Sequence, residues 1–117
     1  MNKEELKART KSFALEVIAL VNSLPKTKSS AVIGRQVLRS ATSVGANYRS
    51  ALRGKSLADF IAKMRIVEEE LDESIYWLEL MVASGDIKAQ TITGLLGEAE
   101  ELLSIFVATI KSAKKRA

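Results

Sequence analysis

The sequence predicts an all-α protein folded as an antiparallel up-down-up-down four-helix bundle. Four segments repeat their apolar residues with the 3.6-residue period of an amphipathic helix. Three short breaks separate them, at Pro25–Lys28, Gly54–Ser56 and Ser84–Asp86. Connections this short bring consecutive helices back alongside one another in alternating directions. No stretch alternates with the period of a strand, and there is no internal repeat or low-complexity run. At 117 residues the chain reads as a single domain, 1–117, large enough to bury a modest core without staples.

The first helix is expected over about residues 4–24, with Leu6, Phe13, Val17, Leu20 and Leu24 within about 60° on the helical wheel. Pro25, the only proline, stops it. The second helix, about 29–53, takes Ser29 or Ser30 as its N-cap. It separates an apolar arc (Ile33, Val37, Ala41, Val44, Tyr48, Leu52) from a basic one. With Arg35 at zero, Arg39 and Arg49 fall at about +40° and −40°, and Arg53 returns near zero. Only Thr42, Ser43, Ala46 and Ser50 stand between these arginines, and all are small. Asn47 lies beside the apolar arc, placed to hydrogen-bond across an interface or within a local network.

Ser56 with Asp59 has the form of a capping box and starts the third helix, about 57–83. Phe60, Met64, Val67, Leu71, Leu78 and Val82 form its core stripe. Trp77 lies about 100° from that stripe, and Tyr76 and Leu80 lie at about 160° and 200°. One core cannot take all three, so Tyr76, Trp77 and Leu80 are candidates for self-association. The fourth helix, about 88–111, runs on Ile92, Leu95, Leu96, Ala99, Leu102, Leu103, Phe106 and Ile110. Gly94 and Gly97 interrupt it, marking either close backbone approach or a frayed first turn. A solvated basic tail is expected over 112–117.

Charge is segregated along the chain. Residues 1–56 carry 11 Lys/Arg against 3 Asp/Glu, and residues 57–103 carry 3 against 11. The basic second helix therefore either lies against the acidic third, pairing with Glu68, Glu69, Glu70, Asp72, Glu73 and Glu79, or presents a free anion-binding face. Arg35, Arg39, Arg49 and Arg53 are the candidate nucleic-acid contacts, with Lys55 secondary and Lys63 and Arg65 extending the patch. Arginine suits phosphate because its planar fork donates two parallel hydrogen bonds.

Composition weighs against several other classes. Without cysteine there are no disulfides, thiolate metal sites or cysteine nucleophiles. The absence of histidine removes the commonest general base, the usual transition-metal ligand and any Ser-His-Asp triad. Di-iron bundles need Glu-x-x-His pairs facing the core. No glycine-rich phosphate loop is present. No enzyme activity and no cofactor is expected, and no run reaches the roughly 20 apolar residues of a membrane span. A charged start, MNKEELKARTK, reads as helix rather than signal peptide, which points to the cytoplasm.

Three segments carry a family resemblance: SFALEVIALVNSLPK, IGRQVLRSATSVGANYRSALRGKSLADFIAKMRIVEEELDESIYWLELM and EAEELLSIFVATIKSAKK. The chain resembles the bacterial four-helix bundle proteins encoded within intervening sequences of large-subunit ribosomal RNA genes. RSATSVGANYR, ADFIAK and ESIYWLEL are together its most specific parts. The resemblance implies the same bundle, assembled as a homopentameric ring. It also implies distant kinship with the accessory variability proteins of diversity-generating retroelements, which are linked to reverse transcriptase and nucleic acid. Ser50 stands where an acidic residue commonly follows NYR in this family, and Gly54 where alanine is frequent. The first difference removes a negative charge beside Arg49 and Arg53.

Together these readings favour a non-enzymatic, oligomeric RNA- or DNA-associated accessory protein that grips the phosphate backbone through a basic helix face. Nothing resembles a base-reading sheet or a helix-turn-helix. The alternative is an oligomeric scaffold for a protein partner, such as a reverse transcriptase or ribosome-associated factor, with the arginines held in structural ion pairs.

Overall fold

A computed structural model describes residues 1–117. Four helices follow one another, α1 (Lys3–Asn22), α2 (Lys28–Leu52), α3 (Leu57–Ala83) and α4 (Ala89–Lys115). They form an antiparallel bundle 47 Å long and 21 Å across. Each helix packs on its chain neighbour, most extensively α2 on α3, and α1 against α4 closes the bundle with the slightest contact. No helix is long and apolar enough to cross a membrane.

Side chains cap three of the four N-termini. Asn2 accepts from the Glu5 amide at 2.8 Å, and Thr27 from the Ser30 amide at 3.1 Å. Thr27, rather than Ser29 or Ser30, is thus the N-cap of α2, and Ser30 is buried one turn inside it. Ser56 accepts from the Asp59 amide at 3.1 Å, but the return bond differs from a full capping box. Asp59 accepts instead from the amide of Lys55, one residue earlier than the cap. At the α3–α4 turn Gly85 adopts φ +85°, a conformation that L side chains rarely take.

The core runs the length of the bundle. Phe13 and Val17 of α1, Val37, Ala41 and Val44 of α2, Met64, Val67, Leu71 and Leu78 of α3, and Ala99, Leu102 and Phe106 of α4 are fully enclosed. Leu24, Leu52, Phe60, Val82, Leu96 and Leu103 are half-buried at its margin. Besides Ser30, three buried residues break the apolar pattern. Thr10 satisfies its hydroxyl on the Leu6 carbonyl one turn back, at 2.9 Å. Ser40 and Ser74 bond each other at 2.8 Å across the α2–α3 interface, and Ser74 also donates to the Glu70 carbonyl.

α1 and α2 approach closely where Thr10 faces Gly45. A Cβ added at Gly45 would sit 3.2 Å from the Thr10 hydroxyl oxygen. By contrast Gly94 and Gly97 face open space, with nothing within 4 Å of a Cβ, so neither serves helix packing within the bundle.

The expected solvated tail over 112–117 is in large part ordered helix. α4 continues to Lys115, and Ala113 is completely buried. Ala113 extends the core stripe three residues past Ile110, and this small apolar contact carries the helix onward beneath Lys111, Lys114 and Lys115.

Candidate nucleic-acid interface

The antiparallel course gathers the start of α1, the end of α2, the start of α3 and the end of α4 at one pole of the bundle. Dividing each helix at its midpoint (residues 1–12, 41–69 and 103–117 against the remainder) puts 13 Lys/Arg and 5 Asp/Glu in this half. The opposite half holds 5 against 9. Charge that alternates by segment along the chain is therefore sorted by pole in the fold. Arg49, Arg53, Lys55, Lys111, Lys114, Lys115 and Arg116 are exposed at this pole and form no ion pair. Such a concentration of one sign raises the local potential and attracts polyanions.

The four arginines of the α2 stripe have different surroundings in the fold. Arg39 donates to Glu73 at 2.9 Å and to Glu70 at 3.2 Å, tying α2 to α3. Glu70 also accepts from the Ser43 hydroxyl at 3.0 Å. Arg39 is thus ion-paired within the bundle. Arg35 is exposed and unpaired, but it lies 14 residues from Arg49, about 21 Å along the axis, toward the acidic pole. A wheel projects away axial distance, so angular alignment hid this separation. Arg49, Arg53 and Lys55 remain together at the basic pole.

Lysines of α1 join them. A shallow groove of about 280 Å³ between α1 and α2 is lined by Lys7, Lys11, Thr42, Ala46 and Arg49, with Thr10 and Gly45 at its base. The close passage of α1 over Gly45 brings Lys7 and Lys11 alongside Arg49. The small residues between the arginines thus make a floor whose walls carry cations. Lys7 also contacts Glu4 at 3.3 Å on the surface. Neither lysine is legible as a site residue in the sequence, because the helix packing that aligns them with α2 involves residues 30 or more positions away in the chain. The tail cations carried a legible signal, since an up-down-up-down order already returns the C-terminus to the end of α2.

At the centre of the pole is an open cleft of about 700 Å³, walled by Leu6, Leu52, Leu57, Phe60 and Ile105. Tyr48 reaches it while packing its ring on Phe106 at 5.2 Å. Burial, assisted by the Glu4 carboxylate, holds the Tyr48 phenol above its usual pKa and hence neutral.

On α3, Trp77 and Leu80 pack against the margin of the core and only Tyr76 stands well out, 55% exposed. The Tyr76 and Trp77 rings meet edge to face at 5.1 Å. The Trp77 indole N–H is buried without a hydrogen-bond partner. Asn47 bonds locally, donating to the Ser43 carbonyl at 2.8 Å. No group of three carboxylates is placed to hold a metal ion.

No curated protein matches the chain. Among solved structures, it is similar to the 1.70 Å crystal structure of a protein of unknown function from the S23 ribosomal protein family of Bacteroides thetaiotaomicron. The two superpose with a TM-score of 0.85 at 33% identity, over 91% of this chain and 98% of that one. The family model of the 23S rRNA-intervening sequence protein matches residues 3–108. Four-helix architecture, near-complete structural overlap and this match along almost the whole chain together establish that the protein belongs to the 23S rRNA-intervening sequence protein family.

Proposed function

We propose that the protein is a non-enzymatic accessory protein that associates with RNA or DNA in the cytoplasm and holds phosphate backbone at its basic pole. The observation that carries this reading is the charge imbalance there, 13 basic against 5 acidic residues, with Arg49, Arg53 and Lys55 exposed and unpaired. Lys7 and Lys11 extend the surface along the α1–α2 groove. Arg35 contributes as a distant, weaker contact. Assembly as a homopentamer, with Tyr76 and the edges of Trp77 and Leu80 between subunits, would repeat this pole five times and add weak contacts by avidity.

Light scattering coupled to size exclusion, with absorbance at 260 and 280 nm, tests both parts. A pentamer carrying nucleic acid at low salt and shedding it at high salt is expected. If about four phosphates are neutralised on a single strand, log affinity falls with log salt at a slope of about −3. Arg49→Glu with Arg53→Glu should abolish co-elution and leave the oligomer intact. A protein free of nucleic acid at every salt concentration overturns the reading.

The Arg39 ion pairs favour a second reading, in which the oligomer is a scaffold for a protein partner such as a reverse transcriptase or ribosome-associated factor. It predicts a clean oligomer without nucleic acid, and collapse of the oligomer on charge reversal at Arg39.

A further inference from the structure

The cleft at the basic pole is more than a gap between helix ends. Tyr48 is only 3% exposed, and its hydroxyl has no hydrogen-bond partner in the protein, yet that oxygen is not among the fully inaccessible unpaired atoms, which are Ser30 Oγ and Trp77 Nε1. What accessibility it keeps is toward the cleft it lines. The Tyr48 hydroxyl is therefore free to bond to whatever fills the cleft, water or a ligand's polar edge. The walls are apolar, the Thr109 and Ser112 hydroxyls add polar points on α4, and Lys3 and Arg116 stand at the rim. Beside the rim, the turn that joins Leu52 to Leu57 carries Arg53 and Lys55. At about 700 Å³ the cleft is within the usual range for small-ligand sites.

We propose that this cleft receives an unpaired nucleobase of a bound strand while the surrounding cations hold its phosphates. The proposal rests on the phosphate-binding reading and goes beyond it by making the protein selective for single strands. A nucleotide joins a flat, largely apolar base with hydrogen-bonding edges to an anionic backbone, and the cleft and its rim divide in the same way. Phe60 offers a ring at the wall, and Tyr48 a hydroxyl for a base edge. In a duplex the bases are stacked and paired, so only the phosphates reach the pole.

Three fluorescent ligands of equal length distinguish the contributions at low salt: a 12-nucleotide single strand, its blunt duplex, and a strand of abasic nucleotides that keeps every phosphate. The wild-type protein should bind the base-bearing strand about tenfold more tightly than the abasic one, the order that one stacked base supplies. Ala108→Trp, which fills the cleft from an exposed position on α4 without removing a core atom, should reduce strand affinity to the abasic level. Tyr48→Phe should lose part of the preference, and thermal melting verifies that both variants fold. Equal affinity for base-bearing and abasic strands overturns the cleft proposal and leaves phosphate binding standing. Absence of binding to all three overturns both.

Discussion

Arg39 meets Glu73 at 2.9 Å across the α2–α3 interface, and with Glu70 on its other nitrogen it is the arginine of α2 that the fold itself consumes. This contact divides the basic residues of one helix between two roles. Arg39→Glu places like charges beside two carboxylates, one of them largely buried. It should destabilise the bundle by about 1 kcal/mol, a modest figure because the arginine is half exposed. Arg53→Gln, with no ion-pair partner to lose and no anion placed at the C-cap of α2, should change stability by less than about 0.5 kcal/mol and weaken nucleic-acid binding. Denaturant unfolding of the two variants beside a salt-dependent binding assay checks this division, and equal destabilisation by both would refute it.

Arg9 gives α1 and α4 their strongest polar tie. Its guanidinium grips Glu98 with two nitrogens, one at 2.8 Å, and reaches Glu101 at 3.3 Å. The Glu98 hydrogen bond is the first cause that raises the arginine's pKa further, so the cation persists at every ordinary pH. Because both partners are largely shielded, Arg9→Ala leaves an uncompensated carboxylate and should cost about 2 kcal/mol. Hydrogen exchange should show the loss concentrated where α1 meets α4. Uniform loosening of the whole bundle would count against a local tie.

The glycines of α2 and α4 should respond in opposite directions. Gly45→Ala pushes a methyl to 3.2 Å from the Thr10 oxygen and should destabilise by about 1 kcal/mol as α1 moves aside. Gly94→Ala and Gly97→Ala add a methyl into open space within a helix, and each should stabilise the bundle by about 0.5–1 kcal/mol. Melting curves of the three variants decide it. Destabilisation at Gly94 or Gly97 would mean that another surface packs there.

Tyr48 makes stability depend on alkaline pH. Burial first, and the Glu4 carboxylate second, raise its pKa in the folded state. The contribution is intact below the unfolded phenol's value of about 10 and is lost as pH rises through that value toward the higher folded one. Tyr48→Phe removes this titration, so its melting temperature should fall less than the wild type's between about pH 9 and 11. An identical fall in both proteins would show that Tyr48 does not titrate on unfolding.

The sequence by itself determined the helices and most of the core. Val37, Ala41 and Val44, or Leu71 and Leu78, bury themselves because a 3.6-residue period puts them on one face whatever the neighbours are. Local chemistry also showed in Pro25 and in the cap at Ser56, where the relevant partners are within four residues. Tertiary structure alone decided which charges are free. Arg35, Arg39, Arg49 and Arg53 are equivalent on a wheel, but Arg39 finds Glu70 and Glu73 some 30 residues on, and Arg35 lies toward the acidic pole. Lys7 and Lys11 line up with Arg49 only because α1 crosses Gly45 closely, and the cleft exists only where four helix ends meet. The physical reason is range: backbone period and capping act within a turn, whereas ion pairing, axial separation and cavities depend on contacts between helices distant in the chain.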